Sequence, residues 1–451
     1  MAITIKLDDK TNFPAESTSA VWVPGWINGG DASTFQTLQA NGSFGPPSAT
    51  LPFYKVENLA EITLVSATNG SDRLVFVASD TTPGDLNITD HSPVEYAQYP
   101  YAGEPTSTVT PPGPFDIFEF SMDAEFNLSA VSGFGLNLSF SATPDGSSTA
   151  QNFGVQPNIT RAEIASAWSS FIVNETKTYP PAAAFEGLLY KEPLPGQSWI
   201  PPLVGDQFFA LCDPNDMLAA RSNNYTGTTS DPLATFWDKT LDDFFCEGNF
   251  LSINLGSDTA QNIYQGMARA MVNPKTGVQS VAYHLSNGSN SYSFFKPVSA
   301  QGTSPGLTGA AYVFQQAFGD LTPDGSNGDA GLLQDCIWEA LCRGVALDGV
   351  LEVCATDASL SGYTTRAWNN WKNWYPSGKP SHFYAKFLHC SDKDGNDSRI
   401  TGKPPIFYGG AAYGFSMDET PIGPYSGPNV PSKTVGSISN GTVTITVGPW
   451  G

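Results

Sequence analysis

The stretch FDIFEFSMDAEFNLSAVSGFGLNLSF, residues 115–140, decides the fold of this chain. Apolar and polar residues alternate on both sides of a short acidic tip at Asp123–Glu125, a pattern that predicts two strands joined by a turn. Glu119 stands between Phe118 and Phe120 and therefore faces the opposite side of its strand from both. Its carboxylate is either a solvated group on an outer face or an acid that faces into a groove.

The composition of the chain predicts a β-rich protein with many loops. Of the 451 residues, 40% are hydrophobic and 12% are aromatic, which is enough for a large core. Only 14% are charged, against roughly 25% in an average globular protein. Because 44 Gly and 35 Pro interrupt the chain, we expect short elements rather than long helices or coiled coils.

The charge balance argues against two classes of partner. The 21 Lys and Arg are outnumbered by 43 Asp and Glu, which gives a net charge of −22. Such a charge repels nucleic acid and anionic membranes, and we expect neither as a partner. A neutral polysaccharide meets no such repulsion. No stretch approaches the roughly 18 consecutive apolar residues of a transmembrane helix.

The cellular location stays open between two alternatives. The N-terminal MAITIKLDDKTNF lacks the basic and apolar regions of a signal peptide. The protein is therefore secreted if a leader was removed, and cytosolic without a signal peptide otherwise. Dense Asn-X-Ser/Thr sequons favour secretion. They lie at Asn41, Asn69, Asn87, Asn127, Asn137, Asn158, Asn174, Asn224, Asn287, Asn396 and Asn440.

An even number of cysteines also favours an oxidising compartment. The six are Cys212, Cys246, Cys336, Cys342, Cys354 and Cys390. Their spacing matches no zinc site, and three disulfides are therefore predicted, with the connectivity left open. Cys336 and Cys342 lie on one predicted helix with about 9 Å of rise between them, so we do not expect these two to pair with each other.

Strand patterns begin and end the chain, and helical patterns lie between them. Residues 3–80 predict antiparallel strands, and residues 81–113 predict an extended, proline-rich excursion. Helices are predicted from the capping box Thr160–Glu163, from Asp231–Pro232, over about 258–272 and over about 329–347. The segments HFYAKFLH, PIFYGGAAYGF and TVTITVG predict closing strands.

This order of elements predicts a two-lobed α+β fold dominated by β structure. Residues 1–158 are expected to form the first part of a β core, and residues 159–355 a mixed α/β domain. Residues 356–451 are expected to return to the β core and to the edge of a cleft.

Several chemistries lack their motifs in this chain. None of the four His lies near a GxSxG elbow, an HExxH helix or a reactive Cys, and the sequence contains no P-loop and no GxGxxG after a strand. These observations argue against hydrolase triads, zinc enzymes and nucleotide cofactors. No cofactor and no metal are expected. Trp368, Trp371 and Trp374 recur every third residue and form either a sugar-stacking platform or, as we favour, a helical core stripe.

Carboxylates remain as the groups that could carry chemistry. Glycoside hydrolysis needs two of them, a proton donor and either a nucleophile or a base that activates water. The candidates are Glu119, Asp116 on the same strand, and the pair Asp418 and Glu419 in the closing segment. Each of these acids taken alone is more often a solvated surface residue.

An ordered set of motifs resembles glycoside hydrolase family 64 and the related thaumatin-like proteins. The central stretch resembles the family's core motif through Phe115-Asp116-x-x-Glu119-Phe120-Ser121 and Asn127-x-Ser129-x-Val131-x-x-Phe134-Gly135-Leu136. Further resemblances run along the chain in the expected order: Asp72-Arg73-Leu74, Ala340-Leu-Cys-Arg343-Gly344, His382-x-Tyr384-Ala385-Lys386-x-x-His389 and Tyr413-Gly-Phe415-x-Met417-Asp418-Glu419.

The resemblance implies a fold and a reaction. It implies a thaumatin-like antiparallel β-barrel or sandwich domain and a mixed α/β domain that flank a wide cleft. It implies inverting cleavage of β-1,3-glucan, with Glu119 as the acid, and Ser132 stands where the family has its Asp base. The implied site residues are Glu119, Ser132, Asp418 and Glu419 for catalysis and Arg73, Asp116, Ser121, Asn127 and Tyr413 for ligand binding.

The serine at position 132 leads to two hypotheses. A hydroxyl without an adjacent base cannot take a proton from water near neutral pH, and about 10²–10⁴-fold of rate is lost with the base. Glucan binding does not depend on that base. We therefore favour a lectin-like protein that binds β-1,3-glucan-type carbohydrate in a glucanase-like cleft. The alternative is an active inverting endo-β-1,3-glucanase in which Asp123, Asp418 or Glu419 serves as the base.

Overall fold

The computed structural model describes most of the chain. The described residues are 2–15, 17–28, 34–59, 61–64, 72–89, 92–93, 95–96, 108–121, 126–131, 133–191, 210–222, 231–256, 262–275, 277–297, 313–314, 328–347, 368, 371–408 and 438–451.

Short strands make up most of the regular structure. In chain order they are β1 Ile3–Asp9, β2 Ala20–Val23, β3 Gly25–Ile27, β4 Gln36–Leu38, β5 Phe44–Gly45, β6 Thr50–Leu51, β7 Tyr54–Lys55, β8 Glu61–Leu64, β9 Asp72–Ser79, β10 Leu86–Thr89, β11 Ser92–Pro93, β12 Glu95–Tyr96, β13 Thr108–Val109, β14 Phe115–Phe120, β15 Phe126–Ser129, β16 Gly133–Phe134, β17 Leu138–Ala142, β18 Gln151–Gly154, β19 Leu189–Tyr190, β20 Ala210–Cys212, β21 Phe250–Asn254, β22 Ile263–Val272, β23 Gln279–Ser286, β24 Ser291–Phe295 and β25 Gly441–Val447.

The helices lie between β18 and β25. They are α1 Arg161–Thr178, α2 Pro214–Ser222, α3 Asp238–Phe244, α4 Gly328–Cys342, α5 Phe383–Cys390 and α6 Ser398–Thr401. The 3-10 turns Pro180–Leu188 and Trp371–Asn373 lie in the same part of the chain, and a further 3-10 turn, Val56–Asn58, precedes β8. Among the helices that the structure describes, none combines the length and the hydropathy of a membrane span.

Two open sheets form the β core. The first has the order β18-β17-β25-β1-β8, and the second runs β15-β14-β9-β3-β4-β5, with β2 and β7 joined to it through β9. Side chains from both sheets, such as Ile5, Phe76, Phe118 and Ile445, belong to one hydrophobic cluster. The core is therefore a sandwich, and none of the described sheets closes into a barrel. The strands that pair with each other within residues 3–80 are antiparallel, as predicted, whereas β1 pairs with β25 in parallel.

The central stretch forms the predicted hairpin only in part. β14 and β15 pair antiparallel across the acidic tip, and the alternation buries Phe118 and Phe120 to 0% and 2% exposure, which confirms the face predicted for Glu119. The second half is not one strand, however. β16 pairs with β20, and β17 pairs with β18 and β25. The stretch 115–140 therefore contributes strands to three different sheets.

The second sheet presents its other face to a larger cluster that includes the helices. Trp26, Val75 and Phe115 belong to that cluster together with Trp168 and Phe171 of α1. The Thr160–Glu163 capping box is confirmed, since the Thr160 hydroxyl accepts from Glu163 N–H and the Glu163 carboxylate accepts from Thr160 N–H.

The helices predicted from Asp231–Pro232 and over about 329–347 are present, but their bounds differ from the prediction. After Asp231, which caps the Leu233 N–H at 2.9 Å, the chain forms turns, and α3 begins only at Asp238. The predicted helix 329–347 is α4, which ends at Cys342. The aromatic stripe is largely core, as favoured, because Trp368 and Trp374 are 0% and 3% exposed.

Two secondary-structure predictions are wrong. The segment predicted as a helix over 258–272 contains strand β22, the second strand of the four-stranded sheet β21-β22-β23-β24. The segment HFYAKFLH, predicted as a strand, forms helix α5, every residue of which is buried. A short apolar run without periodicity is compatible with either a buried strand or a buried helix, and here packing on all sides selects the helix.

The cysteines do not form the predicted disulfides among the described residues. Cys212, Cys336, Cys342 and Cys390 are buried, and Cys246 is exposed, and no two of these five described cysteines are linked to each other. The buried four lie on β20, α4 and α5, where apolar packing rather than cross-linking surrounds them. Cys354 lies outside the described residues.

Candidate functional site

One row of side chains crosses the second sheet. In the strand register, Trp26 of β3 lies opposite Arg73 of β9, Arg73 opposite Glu119 of β14, and Glu119 opposite Asn127 of β15. Residues directly opposite each other in neighbouring strands share a face. The sheet therefore brings together three of the predicted site residues, although Arg73 and Glu119 are 46 positions apart in the chain.

An ion pair joins the two charged members of this row. The Nε atom of Arg73 donates to the carboxylate oxygen Oε1 of Glu119 at 3.2 Å, and the Nη2 atom lies 3.0 Å from the same oxygen. Both side chains are 25% exposed. Among the described residues, no other group hydrogen-bonds to Glu119.

The neighbours of the ion pair are mostly buried. Asn127 is 7% exposed, and its Oδ1 atom has no hydrogen-bond partner in the part of the chain that the structure describes. Trp26 is 4% exposed. Ser121 directly follows β14 and is half-buried. An acceptor that is shielded from water beside a fixed carboxylate is a site that favours a donor such as a hydroxyl group.

Asp116 lies on the opposite face of β14 from Glu119, because the two are three positions apart on one strand, an odd number. Its carboxyl accepts from the Leu136 N–H at 2.6 Å and from the Gly135 N–H at 3.1 and 3.2 Å. Burial raises the pKa of Asp116 to about 8, although these hydrogen bonds and the nearby Arg161 act in the opposite direction. Its role as a ligand-binding residue stays a prediction.

A small cavity adjoins Asp116. It has a volume of about 30 Å³, enough for one or two water molecules. Apart from Asp116 and Ser129, its side chains are apolar. The lining comprises Asp116, Ile117, Leu128, Ser129, Ala130, Phe134, Leu136, Leu138, Phe153, Gly154, Val155 and Phe407. The cavity is too small for a sugar ring and does not extend the candidate site.

Several predicted site residues lie outside the described part of the chain. These are Asp123, Ser132, Tyr413, Asp418 and Glu419. The described residues therefore include the predicted acid but none of the predicted or alternative bases. Within the described ranges, His, Cys, Asp and Glu side chains form no cluster that could hold a metal ion.

Two buried residues near the site were not predicted to belong to it. Arg161 is 0% exposed, and its guanidinium stacks 4.1 Å from the ring of Trp450. Tyr384 is also 0% exposed and donates from its hydroxyl to the Ala130 carbonyl at 2.6 Å. Neither contact has a local sequence signal, since the partners are far apart in the chain.

Comparison with known proteins identifies the fold. No protein-family model matches the sequence, and no curated protein matches it. A β-1,3-glucanase domain (GH64) from Clostridium beijerinckii matches with a TM-score of 0.58 and 16% identity, over 99% of this chain and 98% of that one. The GH family 64 laminaripentaose-producing β-1,3-glucanase from Paenibacillus barengoltzii matches with a TM-score of 0.52 and 13% identity, over 99% and 75%.

The Paenibacillus barengoltzii enzyme complexed with laminarihexaose gives a TM-score of 0.51 at 13% identity, again over 99% of this chain and 75% of that one. The chain therefore has a fold like that of the GH64 β-1,3-glucanases, in agreement with the family resemblance of its motifs.

Proposed function

We propose that this protein binds β-1,3-glucan in a lectin-like manner at the face of the second sheet that carries Glu119. The observation that carries the proposal is the Arg73–Glu119 ion pair, which holds a partly exposed carboxylate in place within a fold like that of β-1,3-glucanases.

The chemistry of this face suits a sugar. A carboxylate fixed by a guanidinium is a strong acceptor for hydroxyl groups, and the partly exposed side chain of Glu119 offers such an acceptor. The Asn127 Oδ1 atom adds a second one beside it. A glucan carries no charge, so the net charge of −22 does not oppose its approach.

We expect this protein to catalyse glucan hydrolysis only weakly, because Ser132 stands where the family has its Asp base. By the family resemblance this serine stands where a base is expected, and a serine hydroxyl does not deprotonate water near neutral pH. The missing base lowers turnover by about 10²–10⁴-fold. Ground-state binding through hydroxyl, amide and aromatic contacts does not need that base.

Laminarihexaose provides the test. We expect calorimetry to detect binding by the wild type, and chromatography to show product release at least about 100-fold slower than that of Ser132→Asp. Glu119→Gln removes the charge and is expected to weaken binding, whereas Glu61→Gln is a matched control that removes an exposed carboxylate paired with Lys6 on the first sheet. Ser132→Asp is expected to produce turnover. Absence of binding by the wild type would refute the proposal.

An active inverting glucanase is the second candidate, and the retention of Glu119 on this face favours it. It requires a base from Asp123, Asp418 or Glu419, at roughly 6.5–9.5 Å from the acid. Sustained release of short oligosaccharides by the wild type, abolished in Glu119→Gln, would establish this second function instead of the lectin-like one.

A further inference from the structure

The segment Ala130–Leu136, of which the structure describes every residue but Ser132, forms hydrogen bonds with buried side chains near both of its ends. It leaves the second sheet at the end of β15, where Glu119 has its cross-strand partner Asn127. Its own strand β16 pairs with β20, Gly133 opposite Cys212 and Phe134 opposite Leu211. Gly133 and Phe134 are thus positioned by a strand outside the hairpin.

Tyr384 holds the first end of the segment. Its hydroxyl donates to the Ala130 carbonyl at 2.6 Å, across 254 positions of the chain. The same carbonyl accepts from the Gly133 N–H at 3.3 Å. Tyr384 lies on helix α5, and its side chain is 0% exposed. The carbonyl just before Val131 and Ser132 is therefore fixed by a buried group.

Asp116 holds the second end of the segment. Its carboxyl accepts from the Gly135 and Leu136 N–H groups, and Asp116 itself is 8% exposed. Because Asp116 and Glu119 lie on the same strand β14, one rigid strand fixes both the carboxylate on one face and the end of the segment on the other.

We propose that Tyr384 and Asp116 are positioning residues for the glucan site. They hold Ala130–Leu136 at a fixed place relative to Glu119 and do not themselves contact glucan. This inference rests on the proposed function. It assigns to Asp116 a role through the backbone of Gly135 and Leu136, and to Tyr384 a role through Ala130.

Two pairs of variants test the inference. Tyr384→Phe deletes the hydroxyl that binds Ala130, and its matched control is Tyr283→Phe, which deletes an equally buried hydroxyl bound to the Phe244 carbonyl at 2.7 Å on the four-stranded sheet. Asp116→Asn replaces one of the two oxygens that accept from the Gly135 and Leu136 N–H groups with an NH2 group, which cannot accept.

The control for Asp116→Asn is Asp392→Asn, which alters a 0% exposed carboxylate that accepts from two backbone N–H groups in another loop. Loss of one hydrogen bond has a net effect of about 1 kcal/mol, or roughly fivefold in an equilibrium constant. Laminarihexaose affinity is measured by calorimetry, and amide exchange at residues 130–136 by mass spectrometry.

We expect Tyr384→Phe and Asp116→Asn to weaken laminarihexaose binding by about three- to tenfold and to speed amide exchange in the segment. The two controls are expected to lower the melting temperature similarly but to leave affinity and segment exchange unchanged. Wild-type binding with equal effects in test and control variants, or with no effect in the test variants, would overturn the positioning role. Failure of the wild type to bind would refute the proposed function itself, and the positioning role with it.

Discussion

Two nitrogens of Arg73 lie against a single oxygen of Glu119, Nε as a hydrogen-bond donor at 3.2 Å and Nη2 at 3.0 Å. The fork of the guanidinium fixes the orientation of the carboxylate, which a single ammonium group does not do. Under the proposed function, Glu119 is already oriented before a sugar binds, so less side-chain entropy is lost on binding.

The first prediction concerns this ion pair. Arg73→Met is expected to weaken laminarihexaose binding by about five- to tenfold, and Arg73→Lys by less, because lysine keeps the charge but loses the fork. Stability should change by less than about 1 kcal/mol, since both partners are 25% exposed and solvent screens such pairs. Calorimetry and urea unfolding measure the two effects.

Lys239→Met is the matched control for Arg73→Met. It removes an ion pair with Asp243 on the exposed side of α3, where the lysine is 84% exposed. Neither binding nor stability should change appreciably. An equal loss of affinity in the control, or full affinity in Arg73→Met, would contradict a role for the ion pair in binding.

The second prediction concerns which cysteines react with an alkylating agent in the native protein. Cys246 is exposed, whereas Cys212, Cys336, Cys342 and Cys390 are buried, and burial raises the pKa of Cys390 to about 12. Alkylation needs an accessible thiolate. Iodoacetamide is therefore expected to label Cys246 in the native protein and the buried four only after denaturation, as read by peptide mass spectrometry. Resistance of all five to labelling after denaturation without reductant would show that disulfides are present.

Local patterns made part of the fold predictable. The alternation in β14 gave the correct face for Glu119, and the Thr160–Glu163 capping box gave the correct start of α1. Both signals lie within a few residues. The strand β22 was missed because Ile263, Met267 and Met271 have a helical spacing.

The feature that excludes a helix at β22 lies elsewhere in the chain. A Cβ atom at Gly266 would stand 1.8 Å from the His284 carbonyl oxygen of the neighbouring strand, so this close strand pairing needs glycine at that position. Only the paired structure reveals that requirement. Tertiary packing likewise decides α5, whose residues are buried on every side.

The candidate site divides in the same way. The position of Glu119 on its strand was predictable from a local pattern, but the contacts around this residue join distant positions. Tyr384 meets Ala130 across 254 positions and Arg73 meets Glu119 across 46. Neither distance leaves a periodic signal in the sequence. Only the motif resemblance grouped Arg73 with Glu119, and nothing in the sequence pointed to the contact between Tyr384 and Ala130.

The third prediction concerns the sequons. Asn127 and Asn137 are 7% and 1% exposed, and the Asn137 side-chain amide donates to the Ile159 and Pro449 carbonyls. A glycan on either residue is incompatible with the fold. When the chain is secreted from a eukaryotic host, glycopeptide mass spectrometry of the folded fraction should find both unmodified, with glycans confined to exposed sequons such as Asn41 and Asn440. A glycan on Asn137 in folded protein would contradict the packing of β17.

The last prediction concerns pH. Burial raises the pKa of Asp116 to about 8, from about 3.9 in an unfolded chain, so the folded state holds a proton that the unfolded state releases. Its contribution to stability is complete below about pH 4 and is lost as the pH rises to about 8. Asp116→Asn cannot titrate. Between pH 5 and 8, the wild type is therefore expected to lose more stability than the variant, by up to about 1.4 kcal/mol per pH unit.

Urea unfolding at pH 5, 6.5 and 8 measures this difference. Burial also raises the pKa of Asp216 to about 7 and that of Asp335 to about 6, and both acids remain in the variant. A shallower but still negative slope of stability against pH is thus expected for Asp116→Asn. Equal slopes in the two proteins would mean that Asp116 is ionised in the folded state, held as a carboxylate by Arg161 and by the Gly135 and Leu136 N–H groups.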